Sequence, residues 1–583
     1  MNTFRNLFCC CTPSSRLYNK IGGDDETWRF TYKRLNHEVH EFRLLKLLPD
    51  PSFSSKLRIE IQKATLQHPP KYEALSYVWG GPDITVPIQC GLGSQELMIT
   101  TNLELALRYL RLESKSRFLW VDALCINQQD IEERNQQVTQ MRRIYLEATR
   151  AVVWLGEEED ARAALEFCKT LQDRRGQSGK YADHNDPVRR DACKRLFARS
   201  WWERTWTLQE VLHNRPVEVY IGKLTISLDE LCKNFEPYQY EAVSQKALQE
   251  DLDRRSGGSL SGDEEFFSIT EDGQPVRTTG YEQLVKVIDP LQQIPAVISR
   301  VRSGKHISTA AIFGIVDLGR SLANFRDQKC SDPRDKVFAL LGMAITTPGV
   351  VVDYSASKSI VYSTVMKAML YCEGNPLLWV ESRERPVSAI GLPSWVPDWT
   401  ANQNDVARVI ALLFDDFSAS GSGHLSRGRL DLLETIQFDD STLILSGIYI
   451  AIVDRVGLRS LTRRTVDGLK DIAQVFTYDT NSDRRRDKIT QSADLEACRT
   501  MRNTNWGPLL TEVGDIIVVA VASTIPLVLR KRGGFYLFVG GCWLIDRELE
   551  ATRSDNWQSD PAFSRIMHGS AWDESKLEKF YIH

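Results

Sequence analysis

Arg117-Phe-Leu-Trp-Val-Asp-Ala-Leu-Cys-Ile126 is an apolar run interrupted near its carboxyl end by a single acid, Asp122. So short and continuous a run reads as a strand buried on both faces, and such strands belong to parallel sheets. Its neighbours fit that reading. Upstream, Tyr72-Glu-Ala-Leu-Ser-Tyr-Val-Trp-Gly80 is a second short apolar run, closed by a turn at Gly80-Gly81-Pro82. Between the two, Thr101-Asn-Leu-Glu104 has capping-box spacing, with Leu103, Ala106, Leu107 and Leu110 on one helical face behind it. Downstream, Asp130-Ile-Glu-Glu133 can cap a helix in which Val138, Met141, Tyr145 and Ala148 recur at spacings of three and four. Ala151-Val-Val-Trp-Leu-Gly156 is a third strand, and Ser200-Trp-Trp-Glu203 is expected to open a further helix through Arg204, Trp206 and Glu210. Strands alternating with amphipathic helices imply βαβ units and a mostly parallel sheet, an α/β domain.

Outward from this block the chain divides by composition. Residues 1–40 are mixed and polar, 41–225 hold the α/β domain, and 226–280 read as a linker or insertion, with Ser, Gly and acids crowded between Asp251 and Gln274. A helical middle region is expected over 281–415, with candidates between Tyr281 and Arg326 and between Ser357 and Leu370. A strand-rich region follows over 416–583, containing Leu443 to Ile452, Ile516 to Leu529 and Phe535 to Leu544.

Several function classes are disfavoured by composition. With 73 Lys and Arg against 77 Asp and Glu, the net charge is −4, so no global basic field attracts nucleic acid or an anionic membrane. The basic triplets at Arg484 to Arg486 and Arg530 to Arg532 read as solvated loop faces. The 12 cysteines show no CxxC pair, which suggests neither zinc nor a disulfide framework and makes a reducing cytoplasm the simplest location. Ile516 to Leu529, at 14 residues the longest apolar run, falls short of the roughly 20 that span a bilayer and reads as buried strand. Cys9, Cys10 and Cys11 beside Phe4, Leu7 and Phe8 are acceptors for palmitate or simply a frayed tail. No phosphate loop or HExxH occurs, and Gly533-Gly534 and Gly540-Gly541 are expected to be hairpin turns.

Ligands of parallel α/β sheets bind beyond the carboxyl ends of the strands. The first strand delivers Ser76, Trp79 and Gly80 there, the second Asp122, Cys125, Asn127 and Gln128, the third Gly156 and Glu157, and the following helix Arg204 and Glu210. Trp201, Trp202 and Trp206 read as core. Asp122 has two readings, a ligand contact or a structural bond to a helix start or to Arg204. Cys125 lacks a nearby histidine and is better read as an inert buried thiol than as a nucleophile. Glu210 taken alone is an ordinary solvent-facing glutamate, with His213 on the same helical face.

The segments Tyr72 to Gly80, Leu119 to Gln128, Arg134 through Tyr145 and Ala148, Val152 to Gly156, and Ser200 to Glu210 resemble, in order, the motifs of the fungal heterokaryon incompatibility (HET) domain. Asp332-Pro-Arg-Asp-Lys-Val-Phe-Ala-Leu-Leu-Gly342, Leu392-Pro-Ser-Trp-Val-Pro-Asp-Trp399 and Gly514-Asp-Ile-Ile resemble segments that follow it. The resemblance implies fungal allorecognition and programmed cell death. It also implies a fold similar to Toll/interleukin receptor (TIR) domains, which are flavodoxin-like, and homo-oligomerisation through the domain, with an incompatibility partner of unknown identity. Trp206-Thr-Leu-Gln-Glu210 resembles the Trp-x-x-x-Glu of TIR enzymes that cleave NAD, which makes Glu210 the candidate catalytic residue. NAD is then substrate and no cofactor is expected. The alternative is a non-enzymatic signalling and self-association module.

Overall fold

A computed structural model describes residues 30–81, 84–91, 95–159, 161–166, 187–213, 215–232, 318–344, 349–372, 391–400, 436–458, 511–520, 526–541 and 576–583, with short pieces at 267–269, 275–277, 474–479 and 505–507 and single residues 298 and 302. The cysteine cluster at 9–11, most of the acidic Gly/Ser stretch, and the triplet at 484–486 lie outside these residues. The chain forms two units. The first comprises residues 1–264, 289–345 and 351–357, and the second the remainder.

The first unit is built on a nine-stranded sheet. Its strands are β1 (Glu41–Leu47), β2 (Arg58–Thr65), β3 (Glu73–Tyr77), β4 (Thr85–Cys90), β5 (Gln95–Thr100), β6 (Arg117–Trp120), β7 (Arg150–Trp154), β8 (Val217–Ile221) and β9 (Leu224–Ser227), in the order β5-β4-β2-β1-β6-β3-β7-β8-β9. β6, β3, β7 and β8 are mutually parallel, with Glu73 opposite both Leu119 and Arg150, and Ala151 opposite Val217. Numbered along the chain, these four lie in the order 2-1-3-4, as in flavodoxin-like doubly wound sheets. The remaining strands make the sheet mixed. β1 runs antiparallel to β2 and β6, and β4–β5 and β8–β9 are antiparallel pairs. β2 and β4 add a short parallel pair, so "mostly parallel" holds for the centre and that pair alone, because tight connections such as the one between Ile221 and Leu224 need no crossover helix.

Burial explains why the centre could be read from sequence. Ala74, Leu75, Tyr77, Val152, Val153 and Trp154 are all buried, so consecutive rather than alternate residues are apolar. At the sheet's outer end β9 alternates between half-buried and exposed. A ladder of charge ties the amino ends of the parallel strands together: Arg117 pairs with Glu73, Glu73 with Arg150 at 2.5 Å, and Arg150 with Glu218 at 2.7 Å. The opposite, carboxyl ends are left for other residues.

The helices of this unit are α1 (Thr101–Leu110), the single turn α2 (Asp122–Cys125), α3 (Ile131–Glu147), α4 (Pro187–Phe197), α5 (Thr205–Val211), α6 (Leu318–Asn324) and α7 (Asp335–Leu341). Asp130 caps α3 by accepting from the Glu133 amide at 3.1 Å. Three local expectations need correction. The cap of α1 is Thr100, one residue before the box, and Glu104 pairs instead with Arg108. β6 stops at Trp120, so Asp122 opens a helical turn and does not interrupt a strand. Ser200 to Glu203 form a 3-10 turn, and the chain is extended at Arg204 (φ −78°, ψ 133°) before α5 starts. The cause is tertiary: Arg204 makes a parallel bridge with Lys329, whose amide donates to Glu203 O at 2.5 Å and whose carbonyl accepts from Thr205 N at 3.0 Å.

In the second unit α8 (Lys358–Cys372) accompanies an eight-stranded sheet: β12 (Ile436–Asp439), β13 (Thr442–Leu458), β14 (Gln474–Asp479), β15 (Asn505–Gly507), β16 (Ile516–Ala520), β17 (Leu527–Arg532), β18 (Phe535–Gly541) and β19 (Glu578–Ile582). A separate two-stranded sheet joins β10 (Phe267–Ile269) and β11 (Pro275–Arg277). The 17-residue β13 bends at two irregularities and pairs in succession with β12 and β19, then β16, then β14, so that β13-β16-β17-β18-β19 closes into a ring. Gly447 sits where β13 meets β16. A β-carbon there would lie 2.9 Å from the Val519 carbonyl oxygen, so only glycine allows that approach.

The apolar run Ile516 to Leu529 is not one strand. It contributes β16 and part of β17, with Ile516 opposite Leu529. Gly533-Gly534 does turn a hairpin, whereas Gly540 and Gly541 lie inside β18 beside a register shift. The Arg530 triplet is part of β17 and not a loop, with Arg530 bound to Asp515 at 2.8 Å. The Leu392 to Trp399 motif is packing: Trp395 and Trp399 are buried, Ser394 Oγ accepts from the Phe538 amide at 2.9 Å, and Asp398 pairs with Lys358 at 3.2 Å. Among the described residues no helix is long and apolar enough to cross a membrane.

Candidate active site

At the carboxyl end of β3, Ser76 is 1% exposed and its hydroxyl donates to Glu210 Oε2. The same hydroxyl accepts from Trp201 Nε1 at 2.8 Å, so the serine is locked in a relay from indole to carboxylate. Glu210 comes from α5 and is itself 1% exposed. The solvent-facing reading of this residue is overturned. Its Oε2 and Oε1 face the two terminal nitrogens of Arg204, both at 3.4 Å, which satisfies the rule that a buried charge is paired.

The end of β6 supplies the second acid. Asp122 Oδ2 accepts from Trp79 Nε1 at 2.7 Å, and Oδ1 from the Ala123 amide at 2.7 Å. Burial pushes the carboxyl up to about 6; Arg204 opposes the shift and Glu210 reinforces it, so the three charges share one neighbourhood. Tyr145, whose hydroxyl donates to Leu75 O at 2.9 Å, is held well above its usual value by burial and by the same two acids. Gln128 donates to the Asp122 carbonyl at 3.1 Å and so braces the turn without reaching the carboxylates.

The cluster thus gathers Ser76, Trp79, Asp122, Arg204 and Glu210. Gly80 (φ 81°) and Gly156 (φ 107°) turn the chain after β3 and β7. Gly156 is directed elsewhere: its carbonyl accepts from Gly222 N at 2.8 Å, and a β-carbon on it would face Arg199. His213 does not meet the Glu210 carboxylate. Its Nε2 lies 2.8 Å from the Glu210 main-chain oxygen, and burial pushes the imidazole down to about 4. Cys125 is a fully buried thiol pushed up to about 12 by burial, which fits the inert reading. Among the described residues no group of His, Cys, Asp or Glu is arranged to hold a metal.

Sequence reasoning missed what holds α5. Arg302 donates to the carbonyls of Val211 at 3.0 Å, His213 at 2.5 Å and Arg215 at 3.1 Å while pairing with Asp229 at 2.6 Å, and so caps the helix. Thr205 Oγ1 donates to Gln328 O at 3.2 Å. α7 packs along α5, with Gly342 against the Gln209 side chain, where a β-carbon would lie 2.8 Å away. The Asp332-Pro-Arg-Asp motif is the anchor of this buttress. Arg334 forks onto Asp332 at 2.7 Å and onto the carbonyls of Tyr354 and Ala356, Arg134 stacks 3.5 Å from the Tyr354 ring centre, and Tyr354 donates to Asp335 at 2.5 Å.

Asp335 supplies a pH test of that anchor. Burial raises its carboxyl from 3.8 to about 6, although hydrogen bonds from Tyr354 and Trp206 pull the other way. The folded state therefore binds the proton more tightly than the unfolded one, and the stability this confers at low pH is lost as pH rises from about 4 to about 6. Asp335→Asn is expected to remove that fall. Urea midpoints on either side of the window should draw closer together than in the unsubstituted protein, and an unchanged difference would refute the assignment.

Residues 72–210 match the family model described as heterokaryon incompatibility protein (HET). The chain is 25% identical over 506 residues to heterokaryon incompatibility protein 6, OR allele, of Neurospora crassa, an alignment covering 74% of this chain and 68% of that protein. No solved structure matches the chain.

Proposed function

Because the chain carries a heterokaryon incompatibility domain, we propose that it acts in fungal allorecognition and kills incompatible fused cells by hydrolysing NAD at the nicotinamide–ribose bond. The observation that carries this reading is Glu210, a carboxylate 1% exposed, set at the carboxyl edge of a parallel core between Ser76 and Arg204. The 2-1-3-4 strand order supports the TIR-like component of the proposal.

In the proposed reaction the bond between C1′ and the pyridinium nitrogen breaks, and its electron pair stays on nitrogen, so nicotinamide leaves neutral. Because the leaving group starts as a cation, no acid need protonate it. Glu210 stabilises the positive charge that develops on the ribose, as glycosidase carboxylates do. Water adds at C1′ and gives up a proton. Asp122, pushed up to about 6 by burial, has an affinity suited to receiving it near neutral pH. Ser76 fixes the Glu210 rotamer and Trp79 fixes Asp122, while Gly80 and Gln128 shape the surrounding turns.

A second reading is favoured by one observation: Arg204 and Ser76 together satisfy Glu210, as they would a structural acid in a non-enzymatic signalling and self-association module. Nicotinamide release from NAD by the full chain, wild type beside Glu210→Gln, separates the two. Release that depends on Glu210 supports the hydrolase; no release even from concentrated, assembled protein supports the module.

A further inference from the structure

Trp201 is buried, as its sequence context implies, but its indole does more than pack. A tryptophan N–H can only donate, whereas a serine hydroxyl has one proton to give and lone pairs to receive. Because Trp201 Nε1 donates to Ser76 Oγ at 2.8 Å, the single Ser76 proton is left for Glu210 Oε2. The direction of the relay is thus set at its Trp201 end. All three side chains are buried, so bulk water does not compete for these bonds.

Trp201 is also tied to the helix that carries the acid. Thr207, buried on α5, donates from Oγ1 to Trp201 O at 2.9 Å. The bonds therefore form a circuit: they leave α5 at Thr207, pass through the 3-10 turn and the end of β3, and return to α5 at Glu210. The neighbouring Trp202 stands outside it. Its ring meets that of Trp201 edge to face at 4.8 Å, but its Nε1 donates to Leu196 O at 3.1 Å.

We propose that Trp201 is a positioning residue that acts through Ser76: its indole aims the Ser76 hydroxyl at Glu210 and so holds the carboxylate in the orientation the reaction uses. The part played in NAD cleavage rests on the hydrolase reading, but the coupling of the three side chains does not. Without the indole N–H, an open lone pair on Ser76 leaves the direction of its proton unfixed. Glu210 would then keep its charge and lose its aim, which is a loss in turnover and not in substrate binding.

The test uses the full chain as wild type, Ser76→Ala, Trp201→Phe, the double variant and Trp202→Phe, each checked for folding by circular dichroism. Nicotinamide release from NAD gives kcat and KM, and urea unfolding gives a midpoint for each protein. Ser76→Ala and Trp201→Phe should each lower kcat about tenfold, the weight of one hydrogen bond, with KM within about twofold of wild type. The double variant should also lose about tenfold, not the roughly hundredfold of independent effects, and Trp202→Phe should keep kcat within about twofold. The midpoints should show the same coupling, with Trp201→Phe costing less beside Ser76→Ala than alone. Losses that multiply in the double variant, an unchanged kcat in Trp201→Phe, or an equal loss in Trp202→Phe overturns the proposal. Should Trp201→Phe fail to fold, Ser76→Ala decides, an unchanged kcat counting against the relay and a lowered kcat at constant KM for it. Absence of release from every protein, wild type included, removes the hydrolase reading and leaves the midpoints to judge the coupling: additive shifts overturn it, and less-than-additive shifts uphold it.

Discussion

In Glu210→Gln, nicotinamide release from NAD is expected to fall about 10²–10³-fold, equivalent to about 2.7–4 kcal/mol of transition-state stabilisation. The amide keeps the size of the side chain and an oxygen that can still accept from Ser76. What it loses is the negative charge, in a place where Glu210 is 1% exposed and water screens little. The loss should appear in kcat at saturating NAD, because the oxocarbenium charge exists only as the bond breaks. Arg204 loses one of its two acidic neighbours as well, so thermal melting of the variant must be recorded beside the kinetics. Equal kcat in the two proteins would take Glu210 out of the reaction.

Glu133→Ala should destabilise the first unit by about 3–5 kcal/mol, the usual result of stranding one member of a buried ion pair. Arg43 is 2% exposed, and its two terminal nitrogens meet Glu133 at 2.5 and 2.9 Å. The same guanidinium donates to Cys125 O at 3.0 Å and Lys33 O at 2.8 Å, and Glu133 accepts from the Asn127 amide at 2.7 Å. The pair therefore pins β1, the end of α2 and the start of α3 around the loop carrying Gln128. Replacing both partners, as Arg43→Met with Glu133→Leu, removes the charges together and should recover much of the loss. Urea unfolding of the two variants decides: a double variant as damaged as the single one would mean that the hydrogen bonds to the backbone, not the stranded charge, set the cost.

The parallel centre of the first sheet was legible because strands covered on both faces write their burial as unbroken apolar runs, as at Ala74 to Tyr77 and Val152 to Trp154. β2 was not legible in the same way. Ile59 is buried, but Glu60, Gln62 and Lys63 keep the run too polar to stand out. The closed strand ring of the second unit was hidden because β13 divides its length among several partners, and pairing leaves no local mark. Within the candidate site, Ser76 and Asp122 could be placed by their positions near strand ends, whereas Glu210 stood out only through its resemblance to the Trp-x-x-x-Glu motif, since taken alone it reads as solvent-facing. The break at Arg204 could not be placed, because Ser200 to Glu203 carries a sound helix start and the extended residue is imposed by Lys329. Arg302, 91 residues from its contact at Val211, looks like any other arginine until the fold is known.

The support of α5 has a bearing on inheritance. A crossover that carried only residues 72–210 into another gene would deliver Glu210 without Arg302, Lys329 and Gly342, three residues that cap, clip and flank its helix. The transferable unit is accordingly longer than the motif: it reaches at least to Tyr354 and Ala356, where Arg334 ties the buttress down.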